Sequence, residues 1–229
     1  MRKKFRFCIL FILIFLFNTL VAKAEREIKY IDSEIRNGII YSKNEKIPYN
    51  GLIKDYYKNG NVKIEWTIVN GAQNGVAKSY YEDGTLKSDS IFKNNKKNGI
   101  EKMYSLDGKL VADVPYKDEI RDGIEKQYSK NGKIIIEISF KNGIEDGAFK
   151  QYYENGVLEI ETFYKNGKLE GLRRDYYKSG KLEVEGFHKN GEPDGWTYVY
   201  NEDGTIKREI FFVEGKAYEK DNDKRNKGN

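Results

Sequence analysis

The chain has 229 residues, of which 41 are Lys or Arg, 36 are Asp or Glu, 18 are Tyr and one is Cys. A single cysteine excludes an internal disulfide framework and a zinc site built from cysteines, and the low mean hydropathy excludes a protein with many membrane-spanning helices. The formal net charge of +5 would suit a partner such as nucleic acid, if that charge belonged to the folded part of the chain.

Residues 1–24 are predicted to be a secretory signal peptide. Four basic residues precede the apolar run 7–17, and the sequence Ala-Lys-Ala that ends at Ala24 is typical of a cleavage site, so that the mature chain would begin at Glu25. The apolar run is short of the ~20 residues that a spanning helix needs, which disfavours an uncleaved signal anchor. We therefore expect an exported protein, which is periplasmic, held at the cell surface or secreted.

The positive charge lies in this leader. Removing its five cations from the 41 Lys and Arg leaves 36, which equals the number of Asp and Glu. A chain without a basic excess lacks the electrostatic requirement for binding a polyanion. The sequence thus predicts no nucleic-acid partner.

A repeat of 24 residues occupies most of the mature chain. The period is marked by two glycine series, which begin at Gly51 and Gly60, and by one tyrosine in each copy. We predict seven copies over residues 51–218, an N-terminal capping hairpin in residues 25–50 built from 39–41 and 47–49, and a disordered polar tail in 219–229. The tyrosines are Tyr56, Tyr80, Tyr104, Tyr128, Tyr152, Tyr176 and Tyr200.

Each copy is predicted to form a β-hairpin. Aromatic and β-branched residues alternate between turn signals, and the first turn, at Gly156 in the fifth copy, fits a three-residue loop with glycine in the left-handed region. The second turn, from Asn166 to Gly171, is predicted to be longer. The expected fold is all-β: an elongated, single-layer antiparallel sheet of seven tandem 24-residue hairpins.

The pairing within a hairpin follows from the length of its first loop. A three-residue loop places Tyr152 opposite Leu158 and Ala148 opposite Thr162, and a different length would shift the pairing by one residue. On this register Lys150, Ile160 and Tyr164 lie on the same face as those four residues. The alternation predicts a half-buried sheet with one apolar face and one charged face.

The motif Tyr-Tyr-x-Asn-Gly-x-Leu, followed by Lys-Asn-Gly-x-x-x-Gly, runs from Tyr152 to Gly171. It resembles the bacterial variant of the MORN repeat. The resemblance implies an open array of antiparallel hairpins that makes protein or lipid contacts without catalysis. Bacterial members of that family are often labelled as an antitoxin component of toxin–antitoxin systems, and this function is an alternative for the present chain.

No catalytic, cofactor-binding or metal site is predicted. The single histidine, His188, stands at a repeat position that holds an aromatic or aliphatic residue in the other six copies, so it is interpreted as a packing residue. The turns lack the alternating acidic spacing of a calcium loop. An enzyme is therefore not expected, and neither is a cofactor.

The candidate binding surface is the tyrosine series, because exposed aromatic patches usually mark sites of interaction. The alternative is that these rings cover one another as part of the fold. The function that we expect is a non-enzymatic, exported repeat protein that offers an extended β surface to a protein partner at the cell envelope or outside the cell. The alternative is an envelope glycan or lipid-headgroup binder that uses the tyrosines.

Overall fold

A computed structural model of the chain describes residues 26–218. The predicted signal peptide (1–24) and polar tail (219–229) lie outside the described residues. The N-terminal part contains β1 (Glu27–Lys29), a single 3-10 turn (Tyr30–Asp32), β2 (Ser33–Arg36) and β3 (Ile39–Ser42). The strands of the array are β4 (Gly51–Tyr56), β5 (Val62–Val69), β6 (Ala72–Tyr80), β7 (Leu86–Lys93), β8 (Lys96–Lys97), β9 (Gly99–Tyr104), β10 (Leu110–Lys117), β11 (Ile120–Arg121), β12 (Gly123–Tyr128), β13 (Ile134–Lys141), β14 (Ile144–Tyr152), β15 (Leu158–Lys165), β16 (Lys168–Leu169), β17 (Gly171–Tyr176), β18 (Leu182–Lys189), β19 (Glu192–Tyr200), β20 (Ile206–Val213) and β21 (Lys216–Tyr218).

Strands β4 to β21 form one open sheet in which neighbouring strands pair in antiparallel fashion. The two-residue strands β8, β11 and β16 and the strands that follow them pair with the same neighbour, which is β7, β10 and β15, respectively. The seven hairpins are β4–β5, β6–β7, β9–β10, β12–β13, β14–β15, β17–β18 and β19–β20. The predicted all-β fold, with tandem 24-residue hairpins in a single long sheet, is confirmed. One strand departs from the antiparallel pattern, because β1 pairs in parallel with β4 at the N-terminal edge.

The first turn of each repeat has the predicted three-residue loop. In the fifth repeat the amide of Tyr153 donates to the carbonyl of Val157 at 2.9 Å, and the amide of Gly156 donates to the carbonyl of Tyr153 at 2.8 Å. Gly156 has φ +89°, a conformation in which a Cβ would be strained. The glycine series that begins at Gly60 therefore marks these turns.

The second turn is shorter than predicted. Asn166 and Gly167 both have positive φ, at 50° and 77°, and Lys165 pairs directly with Lys168. These are the features of a two-residue type I′ turn, whose twist matches that of the strands it joins. The residues up to Gly171 belong to the returning strand, which contains an irregularity before Gly171, and not to a longer loop.

Neighbouring repeats are joined by a hydrogen bond from a second tyrosine, which follows the tyrosine of the predicted series. The hydroxyl of Tyr153 donates to the carbonyl of Tyr176, 23 residues further on, at 2.7 Å. The same bond is made by three other tyrosines, at 2.7–2.8 Å. They are Tyr57 to Tyr80, Tyr81 to Tyr104, and Tyr177 to Tyr200.

The N-terminal hairpin has different strands from those predicted. It consists of β2 and β3, joined at Asn37-Gly38, whereas residues 47–49 form no strand. Tyr49 is instead fully buried against Ile53 and Ile68, and its hydroxyl donates to the carbonyls of Arg26 (3.0 Å) and Leu52 (2.9 Å). The prediction failed because a tyrosine next to a proline is compatible both with an edge strand and with a segment without regular structure whose ring packs into a core.

The cross-strand pairs predicted for the fifth hairpin are only partly right. Tyr152 pairs with Leu158 as predicted, but Ala148 pairs with Phe163 and not with Thr162. The reason is a β-bulge, in which Leu158 and Glu159 together oppose Tyr152, so that every later residue of β15 is displaced by one. The same shift in register occurs in all seven hairpins of the array.

The bulge moves residues between the two faces of the sheet. Ile160, Thr162 and Tyr164 lie on the face opposite to Tyr152, and Glu161 lies on the same face as Tyr152. The prediction of one apolar and one charged face is therefore wrong. We call the face that carries the predicted tyrosine series the tyrosine face, and the other the buried face.

The buried face carries the least exposed side chains of the array. Ile53 and Ile68 are each 2% exposed, and a row of directly paired residues continues from Ile53 across the sheet. Two of the buried polar side chains in this row have partners, since Ser90 donates to Glu101 at 2.9 Å and Glu125 accepts from Arg121 at 3.1 Å. The buried hydroxyl of Thr162 makes no hydrogen bond to another described residue. The other buried members of this face are Ala77, Val114, Phe140 and Thr162.

Candidate interaction surface

The tyrosine face presents three parallel rows of side chains along the array. Beside the first turns lie the tyrosines and the aliphatic residues paired with them, such as Tyr152 with Leu158. The middle of the face carries charged residues, such as Lys150 paired with Glu161. Beside the second turns lies a row of apolar residues, such as Ala148 with Phe163.

All seven predicted tyrosines are half-buried. Three of their hydroxyls donate to a carboxylate on the preceding hairpin: Tyr128 to Asp113 at 2.9 Å, Tyr152 to Glu137 at 2.9 Å, and Tyr176 to Glu161 at 2.7 Å. At the N-terminal edge Tyr56 donates to Glu27 of β1 at 3.2 Å. The structure thus places the tyrosine series in one row, where several of its polar atoms are used within the fold.

The contacts of the three tyrosines raise the pKa of each phenol to about 12, first through burial and then through the hydrogen bond to the carboxylate. Because the folded pKa exceeds the unfolded value of ~10, these bonds stabilise the fold fully below pH ~10 and lose that contribution as the pH rises through about 12. We expect an alkaline titration, followed by tyrosinate absorbance, to show a group of tyrosines that ionises about two pH units above the ordinary value of ~10 for a tyrosine in an unfolded chain.

A variant pair isolates the role of the carboxylate in this titration. Glu161→Gln should lower the pKa of Tyr176 towards its ordinary value, whereas Glu154→Gln, at an exposed turn position, should leave the titration unchanged. If both variants kept the late-ionising group intact, the hydrogen bond of Tyr176 to Glu161 would not be the cause of its raised pKa.

The middle row is a ladder of alternating basic and acidic residues. In the first five hairpins each acid is paired with a base of its own hairpin and with a base of the next one, as Glu161 is with Lys150 and Arg174. Arg174 lies 3.4 Å from Glu161 and 2.6 Å from Glu185, and Lys54 lies 2.8 Å from Glu27. The alternation makes this part of the surface polar without giving it a net charge.

The ladder runs through Lys54, Glu65, Lys78, Asp89, Lys102, Asp113, Lys126, Glu137, Lys150, Glu161, Arg174 and Glu185. Tyr198 takes the place of the base in the last repeat, where it pairs with Glu185 and Glu209.

The third row was not predicted, and it contains most of the strongly exposed apolar residues of the tyrosine face. Ile100 is 50% exposed, Ile124 is 55% and Phe163 is 57%. The signal was present in the sequence, because one position of this row is apolar in all seven copies and the other in five, but the unrecognised bulge assigned the second position to the wrong face. We call the exposed members of this row the apolar strip: Val76, Ile91, Ile100, Ile124, Phe163, Phe187 and Trp196.

The apolar strip ends in an aromatic cluster in the last repeat. The ring of Trp196 lies 5.0 Å from that of Phe211 and 6.3 Å from that of Tyr198, which lies 6.4 Å from that of Tyr200. In this repeat all three rows contribute an aromatic residue of β19: Tyr200 to the tyrosine row, Tyr198 at the position of the ladder base, and Trp196 to the apolar strip. The C-terminal end of the tyrosine face is therefore its most aromatic part.

His188 lies on the buried face, in the aromatic row that was predicted for it, where it pairs with Gly171. Burial, and then the charge of Arg173, lower the pKa of its imidazole. Its Nδ1 is buried and makes no hydrogen bond to another described residue. The imidazole lines a cavity together with Asp175 and Thr197, but its Nδ1 is hydrogen-bonded to neither, whereas nucleophilic catalysis uses such hydrogen bonds to align the nucleophile and its base.

Within residues 26–218, no cluster of three or more His, Cys, Asp or Glu side chains has the geometry to hold a metal ion. In the same range no helix has the length and apolarity to cross a bilayer.

Comparison with known proteins agrees with the repeat architecture. No curated protein matches the chain. The MORN repeat variant family matches six consecutive segments that together make up more than half of the chain, and the seventh hairpin, β19–β20, follows the last of them. The matched segments are 49–70, 73–94, 97–118, 121–142, 145–166 and 169–190. The chain therefore belongs to the MORN repeat variant family.

Proposed function

We propose that the protein is a non-catalytic binding module that holds a partner protein on its tyrosine face, with the apolar strip as the main contact. The observation that carries the proposal is the row of seven exposed apolar side chains along one side of the tyrosine face, of which Phe163 is the most exposed at 57%. Contiguous exposed apolar surface on a soluble protein usually marks a site of interaction.

The composition of the tyrosine face fits a protein interface. Interfaces bury an apolar centre within a polar rim, and here the charge-balanced ladder borders the apolar strip. Aromatic residues contribute strongly to binding at such centres, so Trp196 and Phe211, 5.0 Å apart, would anchor the partner at the C-terminal end.

The alternative, a glycan or lipid headgroup bound by the tyrosine row, has less support. A sugar would use the phenol hydroxyls as hydrogen-bonding groups, but those of Tyr128, Tyr152 and Tyr176 already donate to carboxylates. Their rings are also half-buried, whereas the apolar strip is exposed.

The proposed place of action is the cell envelope or the exterior of the cell. Its support is the basic, then apolar, then Ala-x-Ala pattern of residues 1–24. N-terminal sequencing of the protein from fractionated cells tests this: a chain that begins at Glu25 in an exported fraction supports it, and an uncleaved chain in the cytoplasm contradicts it.

The binding surface is tested with two double variants in the same cells. Phe163→Ser with Phe187→Ser removes the centre of the apolar strip, and Leu106→Ser with Ile47→Ser removes apolar residues of similar exposure outside it. We expect crosslinking to capture a protein with the unaltered chain and with the control, and about tenfold less with the strip variant.

Equal capture by the strip variant and the control would contradict the proposal. Binding of the purified protein to wall polysaccharide or to liposomes, if lost in the double variant Tyr152→Ala with Tyr176→Ala, would favour the alternative function instead.

A further inference from the structure

The second tyrosines that join neighbouring repeats are missing at two positions. Tyr57, Tyr81, Tyr153 and Tyr177 each donate a hydrogen bond to a carbonyl 23 residues further on. In the third and fourth repeats the same position holds Ser105 and Ser129. A serine side chain is too short to reach the next hairpin, so neither residue can make this hydrogen bond.

A cavity of about 990 Å³ lies at the second of these serines. It opens between the first turns of the fourth and fifth repeats. Its lining combines apolar groups with amide and charged groups, and includes Ser129, Ile135, Gln151, Tyr153, Glu154 and Lys178. The cavity is therefore large enough for an aromatic ring and has polar atoms at its wall.

The repeats themselves show how a ring would lie in this space. The Lys87 ammonium lies 5.6 Å from the ring of Tyr81, and the Lys178 ammonium lies 5.8 Å from the ring of Tyr153. The positions equivalent to these two lysines, relative to Ser129, are Ile135 and Glu154. Both line the cavity, so the open space coincides with the place that a tyrosine ring takes in the other repeats.

We infer that this cavity binds a phenol ring, whose hydroxyl donates to the carbonyl of Tyr152. That carbonyl lies 23 residues after Ser129, as the carbonyl of Tyr176 lies 23 residues after Tyr153, where the bond is 2.7 Å long. The ligand is a neutral phenol, because the site needs a donor in place of the missing tyrosine. It comes either from a tyrosine side chain of another protein or from a free phenolic compound.

The site is independent of the proposed binding surface. Gln151 and the second tyrosines alternate with the residues of the tyrosine face, so the cavity lies mainly on the opposite, buried face. Tyr152 also lines it, but no residue of the apolar strip does. Failure of either proposal leaves the other untouched.

The first test is a titration of the unaltered protein with p-cresol, followed by amide chemical shifts. We expect saturable shifts at Ile135, Gln151 and Glu154. The comparison ligand is 4-methylanisole, which keeps the ring and the oxygen but cannot donate, and it should bind about three- to tenfold more weakly because one hydrogen bond is lost. Equal binding of the two ligands, or the absence of shifts at these residues, would overturn the inference.

A variant pair provides the second test. Ser129→Tyr supplies the ring from the chain itself, so it should raise the melting temperature and abolish p-cresol binding, whereas Ser129→Ala should leave binding intact. Unchanged p-cresol affinity in Ser129→Tyr would contradict the inference. If this variant folds poorly, the comparison of p-cresol with 4-methylanisole on the unaltered protein still tests the inference. Tighter binding of N-acetyltyrosinamide than of p-cresol would identify a tyrosine side chain as the source, and the reverse order a free phenol.

Discussion

Gly51→Ala is expected to destabilise the N-terminal edge of the sheet by about 3 kcal/mol or more, through overpacking combined with backbone strain. Gly51 has φ +140°, and a Cβ built on it would overlap the carbonyl oxygen of Arg26 and lie 2.9 Å from the hydroxyl of Tyr49. That carbonyl accepts from the amide of Leu52 at 2.7 Å and from Tyr49 at 3.0 Å. The methyl group can be accommodated only if β1 moves away from β4.

Gly60→Ala is the matched control for Gly51→Ala. Gly60 also has a positive φ, of +89°, but a Cβ there would meet nothing within 4 Å. Its cost should be only the strain of a left-handed alanine, about 1–2 kcal/mol. Urea unfolding measures both variants, and equal losses in the free energy of unfolding would show that β1 and Tyr49 do not restrict Gly51.

Displacement of β1 would destabilise more of the N-terminal end than the three residues of that strand. Tyr49, Ile53 and Ile68 form the buried cluster of the N-terminal end, and β1 covers the outer edge of β4. An uncovered edge strand exposes unpaired backbone groups to other chains. Hydrogen exchange should therefore show β4 losing protection in Gly51→Ala while β17–β18, far along the array, keeps it, because each hairpin contacts mainly its neighbours.

The sequence allowed the repeat, the strand order and the first turns to be predicted because glycine has a specific physical role there. At Gly156 the turn requires a left-handed residue, and seven such positions at constant spacing define the hairpins. The apolar residue at Leu158 and the tyrosine at Tyr152 flank that turn directly, so their pairing followed from the loop length alone.

The bulge could not be predicted because its residue has no constant chemistry. The position of Glu159 holds lysine, valine, isoleucine or glutamate in the seven copies, and a bulge of this kind needs no glycine. An undetected insertion of one residue exchanges the two faces of the rest of the strand. This is why the charge ladder and the apolar strip of the tyrosine face were not recognised.

The parallel strand β1 and the bonds between repeats were missed for a different reason. They depend on contacts between residues that are more than 20 positions apart, such as Tyr153 with Tyr176 or Ile28 with Ile53. Each involves a backbone group that every residue possesses. The tyrosine that follows Tyr152 was visible as part of the motif, but only the structure shows that its hydroxyl reaches the next hairpin.

Insertion of an alanine between Ile160 and Glu161 is expected to destabilise the fifth hairpin by about 3–5 kcal/mol, in the range of the most damaging single changes. The added residue would take the place opposite Lys150, and every later residue of β15 would change face. Thr162, which is 4% exposed, would then move to the tyrosine face, and Glu161 would move away from Tyr176 and Arg174, which it contacts at 2.7 and 3.4 Å.

Deletion of Glu159 is the control, because it removes only the extra residue of the bulge, so that Ile160 and Glu161 can keep their partners Gln151 and Lys150. It loses the hydrogen bond that Glu159 accepts from Gln151 at 2.9 Å and should cost only about 1 kcal/mol. A second control deletes residues 147–170, a complete repeat, and should fold cooperatively because the faces and the register of all remaining hairpins are unchanged. Urea unfolding of the three proteins, with hydrogen exchange over β14 and β15, measures these effects. An insertion no more harmful than the deletion of Glu159 would mean that a second bulge absorbs the added residue, and that the length of β15 does not set which side chains share the tyrosine face.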